Sequence, residues 1–315
     1  MIYLSTLLGY FITLFLCIIL ALSVENLFLL WVLLELNILC FIPIFISRKS
    51  SNSTSNSLKY FVSQSRASLL FIIIIIFPTD NIIFLIILII FKIGVPPLQR
   101  WLTSLLPTLN HPEIFILFTV QKLIPLIIVS HLNCINIIYL FVAISLLFTI
   151  SCLVDTISLF KLLFISSVVN IIWTLRNLWN RWLVFFRGYT TILGGLIINL
   201  VLFNINKARD LITGPSITKI IIPIQFFNLG GVPPLIGFNL KLILLNKLIY
   251  FNPRLALALL LATLIVLYIY TIIFYQANCM KPSSANIKTE LESRQQTSLS
   301  LISLLSTSFL YPLII

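Results

Sequence analysis

Ile82-Ile83-Phe84-Leu85-Ile86-Ile87-Leu88-Ile89-Ile90-Phe91-Lys92-Ile93-Gly94-Val95-Pro96-Pro97 decides the fold. Its ten opening residues are apolar without interruption, so no period-2 pattern gives them one wet face and one dry face. Ile72–Phe77 continues the same habit elsewhere in the chain. A transmembrane barrel shows short alternating segments instead. In lipid a backbone must satisfy its own hydrogen bonds, which leaves the α-helix. This helix is then punctuated by a lysine, a glycine and two prolines. Glycine and proline stop a helix, and a broken helix inside a membrane needs protein or water to satisfy the freed carbonyls and amides.

The rest of the chain is of the same kind. It has 315 residues, of which 60% are hydrophobic and 9% charged, with a mean hydropathy of +1.15. Soluble domains carry about 25% charged residues, so a protein this apolar could not cover a surface in water. The fold class is all-α, a polytopic membrane protein. The formal net charge is +12. No basic patch is interleaved with aromatics, so nucleic acid is excluded as a partner, and the basic loops read as orienting signals that meet anionic phospholipids. Cys17, Cys40, Cys134, Cys152 and Cys279 have no metal-ligand or C-x-x-C spacing. There is no iron–sulfur, haem-attachment or G-x-G-x-x-G motif, so no cofactor and no metal is expected.

A span needs about 20 apolar residues. The pattern predicts eleven: 2–22, 25–46, 58–77, 81–105, 112–131, 135–154, 157–176, 182–205, 217–250, 254–278 and 297–315. The fourth and ninth are broken helices, at 94–97 and 230–237. Residues 47–57 and 281–297 read as polar loops, and 1–315 as a single transmembrane domain. Paired interrupted helices, one in each half, suggest an antiporter-like, inverted-repeat architecture. Eleven spans place the termini on opposite sides, and the Lys/Arg bias puts the N-terminus on the matrix or cytoplasmic side.

Glu35, Lys92, Lys122 and Lys241 stand near the middle of apolar stretches. A charge there costs roughly 2.5–3.5 kcal/mol on insertion scales, and lysines this far from helix ends do not reach the headgroups by extending. Lys92 and Lys122 fall at similar depth on consecutive spans joined near His111-Pro112. Glu35 reads as the partner of an intramembrane lysine: a nearby carboxylate favours the ammonium form and burial disfavours it, which makes a switchable proton relay. Lys59, Arg66 and Lys161 lie nearer predicted ends and read as loop or snorkelling residues, and His111 as a loop residue. Ser166, Ser167 and Asn170 are polar positions within span seven. Such serines either bond back to the preceding turn or line a file of water.

Five segments carry a resemblance. They are Trp31-Val32-Leu33-Leu34-Glu35-Leu36-Asn37 with Phe41-Ile42-Pro43; Lys59-Tyr60-Phe61-Val62-Ser63-Gln64; Lys92-Ile93-Gly94-Val95-Pro96-Pro97 with Trp101; Gln121-Lys122-Leu123-Ile124-Pro125; and Asn228 to Phe238 with Lys241. In order, over residues 31–241, they resemble the motifs of the mitochondrial NADH–ubiquinone oxidoreductase chain 2 family. The resemblance implies an antiporter-like, proton-translocating subunit of respiratory complex I in the mitochondrial inner membrane, with no redox centre of its own. It implies other membrane-arm subunits as partners, including a neighbouring antiporter-like subunit. It assigns the relay to Glu35, Lys92, Lys122 and Lys241. Two positions depart from the family. Gln99-Arg100 precede Trp101 where a histidine is usual, and Asn170 stands where a second histidine follows the paired serines. A stand-alone or Mrp-type cation/proton antiporter subunit would show the same breaks and lysines.

Overall fold

A computed structural model describes residues 2–46, 51–77, 82–132, 135–153, 158–176, 182–205, 210–211 and 218–279. Among these residues the secondary structure is helical: α1 Ile2–Ser23, α2 Leu27–Ile46, α3 Ser51–Ile76, α4 Ile82–Ile93, α5 Arg100–Leu105, α6 His111–Phe118, α7 Val120–His131, α8 Ile135–Leu153, α9 Leu159–Arg176, α10 Trp182–Leu202, α11 Thr218–Gly230, α12 Ile236–Phe251 and α13 Pro253–Cys279. Ten of the eleven expected spans coincide with these helices. The eleventh, 297–315, and the polar stretch 281–297 lie outside the described residues. Five segments are each long and apolar enough to cross a membrane: Leu27–Ile46, Thr54–Ile76, His111–His131, Trp182–Leu202 and Pro253–Ile272.

Two expectations change. The stretch 47–57 is not all loop, because α3 begins at Ser51. The Ser/Asn-rich composition suggested a turn, but tertiary contact overrides it. Asn56 and Ser57 are buried; Asn56 Nδ2 donates to Thr108 Oγ1 at 2.8 Å, and Ser57 Oγ bonds back to Thr54 O at 2.8 Å. Span five is also interrupted. Thr119 adopts φ −118°, ψ −78° between α6 and α7, its hydroxyl donates to Phe115 O at 2.6 Å, and Lys122 N reaches Thr119 O at 3.1 Å, a three-residue closure. Pro125 has no N–H for the carbonyl of Gln121 four residues earlier, the ordinary cause of a kink.

The chain packs as two compact units, Met1–Ser145 and Leu146–Ile315. In the first, α2 packs on α1, α3 and α7, and α4 on α3 and α7. Trp101 ties α5 back to α4 by donating from its indole to Phe91 O at 3.0 Å. In the second, α11 packs on α10, α12 and α13. Rows such as Leu8, Ile12, Phe15 and Ile19 on α1, and Leu257, Leu261, Leu264 and Tyr268 on α13, are exposed. Contiguous apolar faces of this kind are stable only against acyl chains or other protein.

Each unit contains one break, and the two are built alike. Gly94 has φ +76° and Gly231 φ +82°, a region L side chains avoid, and each break holds one cis Pro–Pro bond, Pro96–Pro97 and Pro233–Pro234. Gly94 N donates to Ile90 O and Phe91 O, and Gly231 N to Phe227 O and Asn228 O. Val95 N then reaches Ile90 O and Val232 N reaches Phe227 O. Each pattern satisfies the last carbonyls of a helix, which have no partner in the helix itself.

Candidate functional site

In the first unit, Lys92 ends α4 just before the break, and Lys122 follows the Thr119 interruption on α7. Both are deeply buried, with 6% and 2% of their surface exposed. They line one small internal cavity with Tyr60, Gln64, Trp101 and Gln121. Its volume open to the centre of a water molecule is about 10 Å³, room for roughly one water. Lys92 Nζ makes no hydrogen bond among the described residues. Lys122 Nζ lies 5.1 Å from the centroid of the Phe118 ring, a cation–π contact.

Glu35 is half-buried on α2. The expected carboxylate–lysine pair is not closed by a hydrogen bond: Glu35 Oε1 and Lys92 Nζ are each buried without one. Glu35 lies within electrostatic range of Lys92 and of the Tyr60 hydroxyl. At low dielectric the field of a charge reaches well beyond contact distance.

Sequence reading missed Gln121 as a site residue, although it lay in a quoted motif. Its Oε1 accepts from Asn37 Nδ2 at 3.2 Å and from Tyr60 Oη at 3.1 Å. One carboxamide therefore fastens the helix of Glu35 and the helix of Tyr60 to the helix of Lys122. No periodicity could have found this, since Asn37 and Gln121 are 84 residues apart. Glu113 was also missed. It is buried, and its Oε2 accepts from Asn110 N at 3.0 Å, capping α6. His111, expected in a loop, is the first residue of α6 and is buried. Lys59, Arg66 and Lys161 are exposed.

Trp101 supports the first break from beside the cavity, its ring 5.9 Å from Tyr60 and 6.3 Å from Phe91. Trp101→Phe keeps the packing and removes one of two donors to Phe91 O. We expect a loss of about 1 kcal/mol, read as dissociation of the assembled protein at a lower temperature; an unchanged dissociation temperature would show that the indole N–H contributes nothing.

In the second unit, Lys241 lies one turn into α12 and folds back onto the end of α11. Its Nζ donates to Leu229 O at 3.1 Å and to Gly230 O at 2.7 Å. The C-terminal end of a helix carries partial negative charge, so backbone dipoles hold the ammonium. Asn228 Oδ1 accepts from Gly237 N at 2.9 Å, closing the break from its other side. Beside Lys241 is a second cavity, also about 10 Å³, lined by Asn170, Phe185, Tyr189, Asn228, Gly237 and Leu240 among others. Ser166 and Ser167 donate back to Leu163 O at 2.8 Å and Phe164 O at 2.7 Å, the local reading of the two that sequence allowed. Asn170 does face a cavity.

No family model matches the chain. It is 31% identical over 271 residues to NADH-ubiquinone oxidoreductase chain 2 of Anopheles gambiae, covering 78% of each protein. Its fold is similar to a chain of respiratory complex I from Thermus thermophilus with bound aureothin, with a TM-score of 0.79 and 16% identity over 95% of this chain and 77% of that one. A chain of the Mrp complex from Dietzia sp. DQ12-45-1b is similar at TM-score 0.73 and 12% identity, covering 92% of this chain and 72% of that one. The two solved structures establish an antiporter-like helical fold, and the identity to the mosquito protein over most of both chains decides between the lineages that share it: this chain belongs to the NADH-ubiquinone oxidoreductase chain 2 family.

Proposed function

We propose that the chain is a membrane-arm subunit of mitochondrial NADH:ubiquinone oxidoreductase that moves protons through a relay of Glu35, Lys92, Lys122 and Lys241, driven by quinone reduction elsewhere in the complex. Its partners are the other membrane-arm subunits, among them a neighbouring antiporter-like subunit, and phospholipids. The basic loops favour a matrix-side N-terminus. One observation carries the reading: two lysines on different helices, both deep in an apolar interior, line one cavity of water size.

The relay follows from that arrangement. A charge shift beside Glu35 changes how strongly its carboxylate holds the Lys92 proton. Lys92 Nζ has no hydrogen bond among the described residues, and its side chain lines the cavity. A water there takes the proton and passes it to Lys122. Water carries the charge onward to Lys241, whose ammonium rests on carbonyl dipoles. The oxidoreductase activity belongs to the whole complex, and this chain supplies the proton path.

Lys122→Met tests the assignment. Methionine preserves an unbranched side chain and removes the titratable group. In sealed inner-membrane vesicles the complex should assemble, while its proton-to-electron ratio and turnover both fall. A normal ratio would refute the relay and leave the buried charges as docking features only.

A further inference from the structure

We infer that Tyr189 and Asn170 form a water site that serves Lys241, with the Tyr189 hydroxyl as the positioning group. This deepens the relay reading and rests on it. Tyr189 projects from α10 and is 2% exposed, yet among the described residues its Oη accepts no hydrogen bond. A buried hydroxyl left that way is costly, and burial in lipid gives it no recourse to bulk solvent. The Ser167 hydroxyl lies within hydrogen-bonding influence of it; that hydroxyl gives its hydrogen to Phe164 O, so it can only accept from Tyr189 and leaves the lone pairs of the tyrosine oxygen unfilled. The same tyrosine lines the cavity shared by Asn170, Asn228 and Lys241. A bound water needs room for itself and two to four polar partners. The cavity has a volume of about 10 Å³, and a tyrosine, two asparagines and a lysine are among the residues that line it.

The chemistry is a single proton exchange. Lys241 Nζ gives a proton to the water oxygen, leaving a neutral amine and a hydronium. The hydronium hands the proton to the next water of the file and becomes water again. Tyr189 keeps its own hydroxyl proton throughout and fixes the orientation of the water. Asn170 provides a carboxamide on the same wall and does not titrate.

Tyr189→Phe deletes one oxygen and keeps the ring. In inner-membrane vesicles containing the assembled complex, NADH:quinone turnover should fall about fivefold, the size of one lost hydrogen bond. The solvent deuterium isotope effect on turnover should rise, because proton exchange at Lys241 becomes the slow step. Loss of packing alone would not raise it. Asn170→Leu removes a polar partner of the same water and should give the same isotope change, so it serves if Tyr189→Phe fails to assemble. An unchanged isotope effect in whichever variant assembles overturns the inference. Lys241→Arg, which keeps the contacts to the α11 carbonyls and cannot release its proton, separates the two levels when measured alongside. If it leaves the proton-to-electron ratio normal, the relay itself is wrong; if it lowers the ratio while Tyr189→Phe behaves as wild type, only the water site is wrong.

Discussion

Lys241→Arg should assemble normally and still fail to pump, whereas Lys241→Met should fail at both. The difference comes from the two roles the structure gives this side chain. Its ammonium donates to Leu229 O and Gly230 O, the final two carbonyls of α11. Methionine removes both bonds. Hydrogen bonds to a charged group are worth about 1.5–3 kcal/mol each, so the break should be weakened by a few kcal/mol and less complex should accumulate. A guanidinium can still reach those carbonyls, but it does not give up its proton at any accessible pH. Both variants should therefore lower coupled turnover about a hundredfold, within the usual range for removing a proton-transfer group. The quantity of complex on a native gel separates them. Normal pumping by Lys241→Arg would mean that position 241 needs only a positive charge and never releases a proton.

Gly237→Ala should prevent assembly almost completely. Gly237 is the second residue of α12, and its N–H donates to Asn228 Oδ1. A Cβ built on it would collide with the backbone carbonyl of Asn228, a group already accepting from Gly231 N. Backbone cannot step aside as a flexible side chain can. Either α12 moves away from the end of α11 or the Gly231 turn opens, and both pull Lys241 off its carbonyls. The penalty should exceed about 3 kcal/mol, at the severe end of overpacking. Native gels should show at least a tenfold loss of complex, since about 1.4 kcal/mol already changes an equilibrium tenfold. Gly188→Ala is the control: the three atoms nearest its new Cβ all belong to the side chain of Leu240, which can rotate, so the loss should be small. Equal assembly of the two variants would show that the break tolerates more room than the structure allows it.

Much of the architecture was legible in the residues alone. Long unalternating apolar runs leave the helix as the only structure that satisfies a backbone in lipid, so ten spans could be placed before any coordinate. Gly94-Val95-Pro96-Pro97 and Gly231-Val232-Pro233-Pro234 marked the breaks because glycine and proline act on the dihedral angles of their own positions. Charges far from helix ends marked the candidate site because their cost depends on depth in the apolar run. Each of these signals is local to a stretch of chain.

What remained hidden depends on which side chains meet across the packing. Composition made 51–57 look like a loop, yet a hydrogen bond from Asn56 to Thr108 accompanies a helix there. Pro125 was visible, but the interruption at Thr119 was not, since proline permits a kink without choosing its place. Glu35 was expected to pair with a lysine, and its Oε1 and Lys92 Nζ are each buried without a hydrogen bond. Gln121 joins three helices through partners 61 and 84 residues away. Gly237 is required by the carbonyl it touches, and Lys241 is held by carbonyls 11 and 12 residues back across a break. Sequence by itself determined what this chain is made to span and where it bends, because partition into lipid and backbone dihedrals are properties of neighbouring residues. Only the tertiary structure decided which buried groups share a cavity, because that follows from how separate helices fill space against one another.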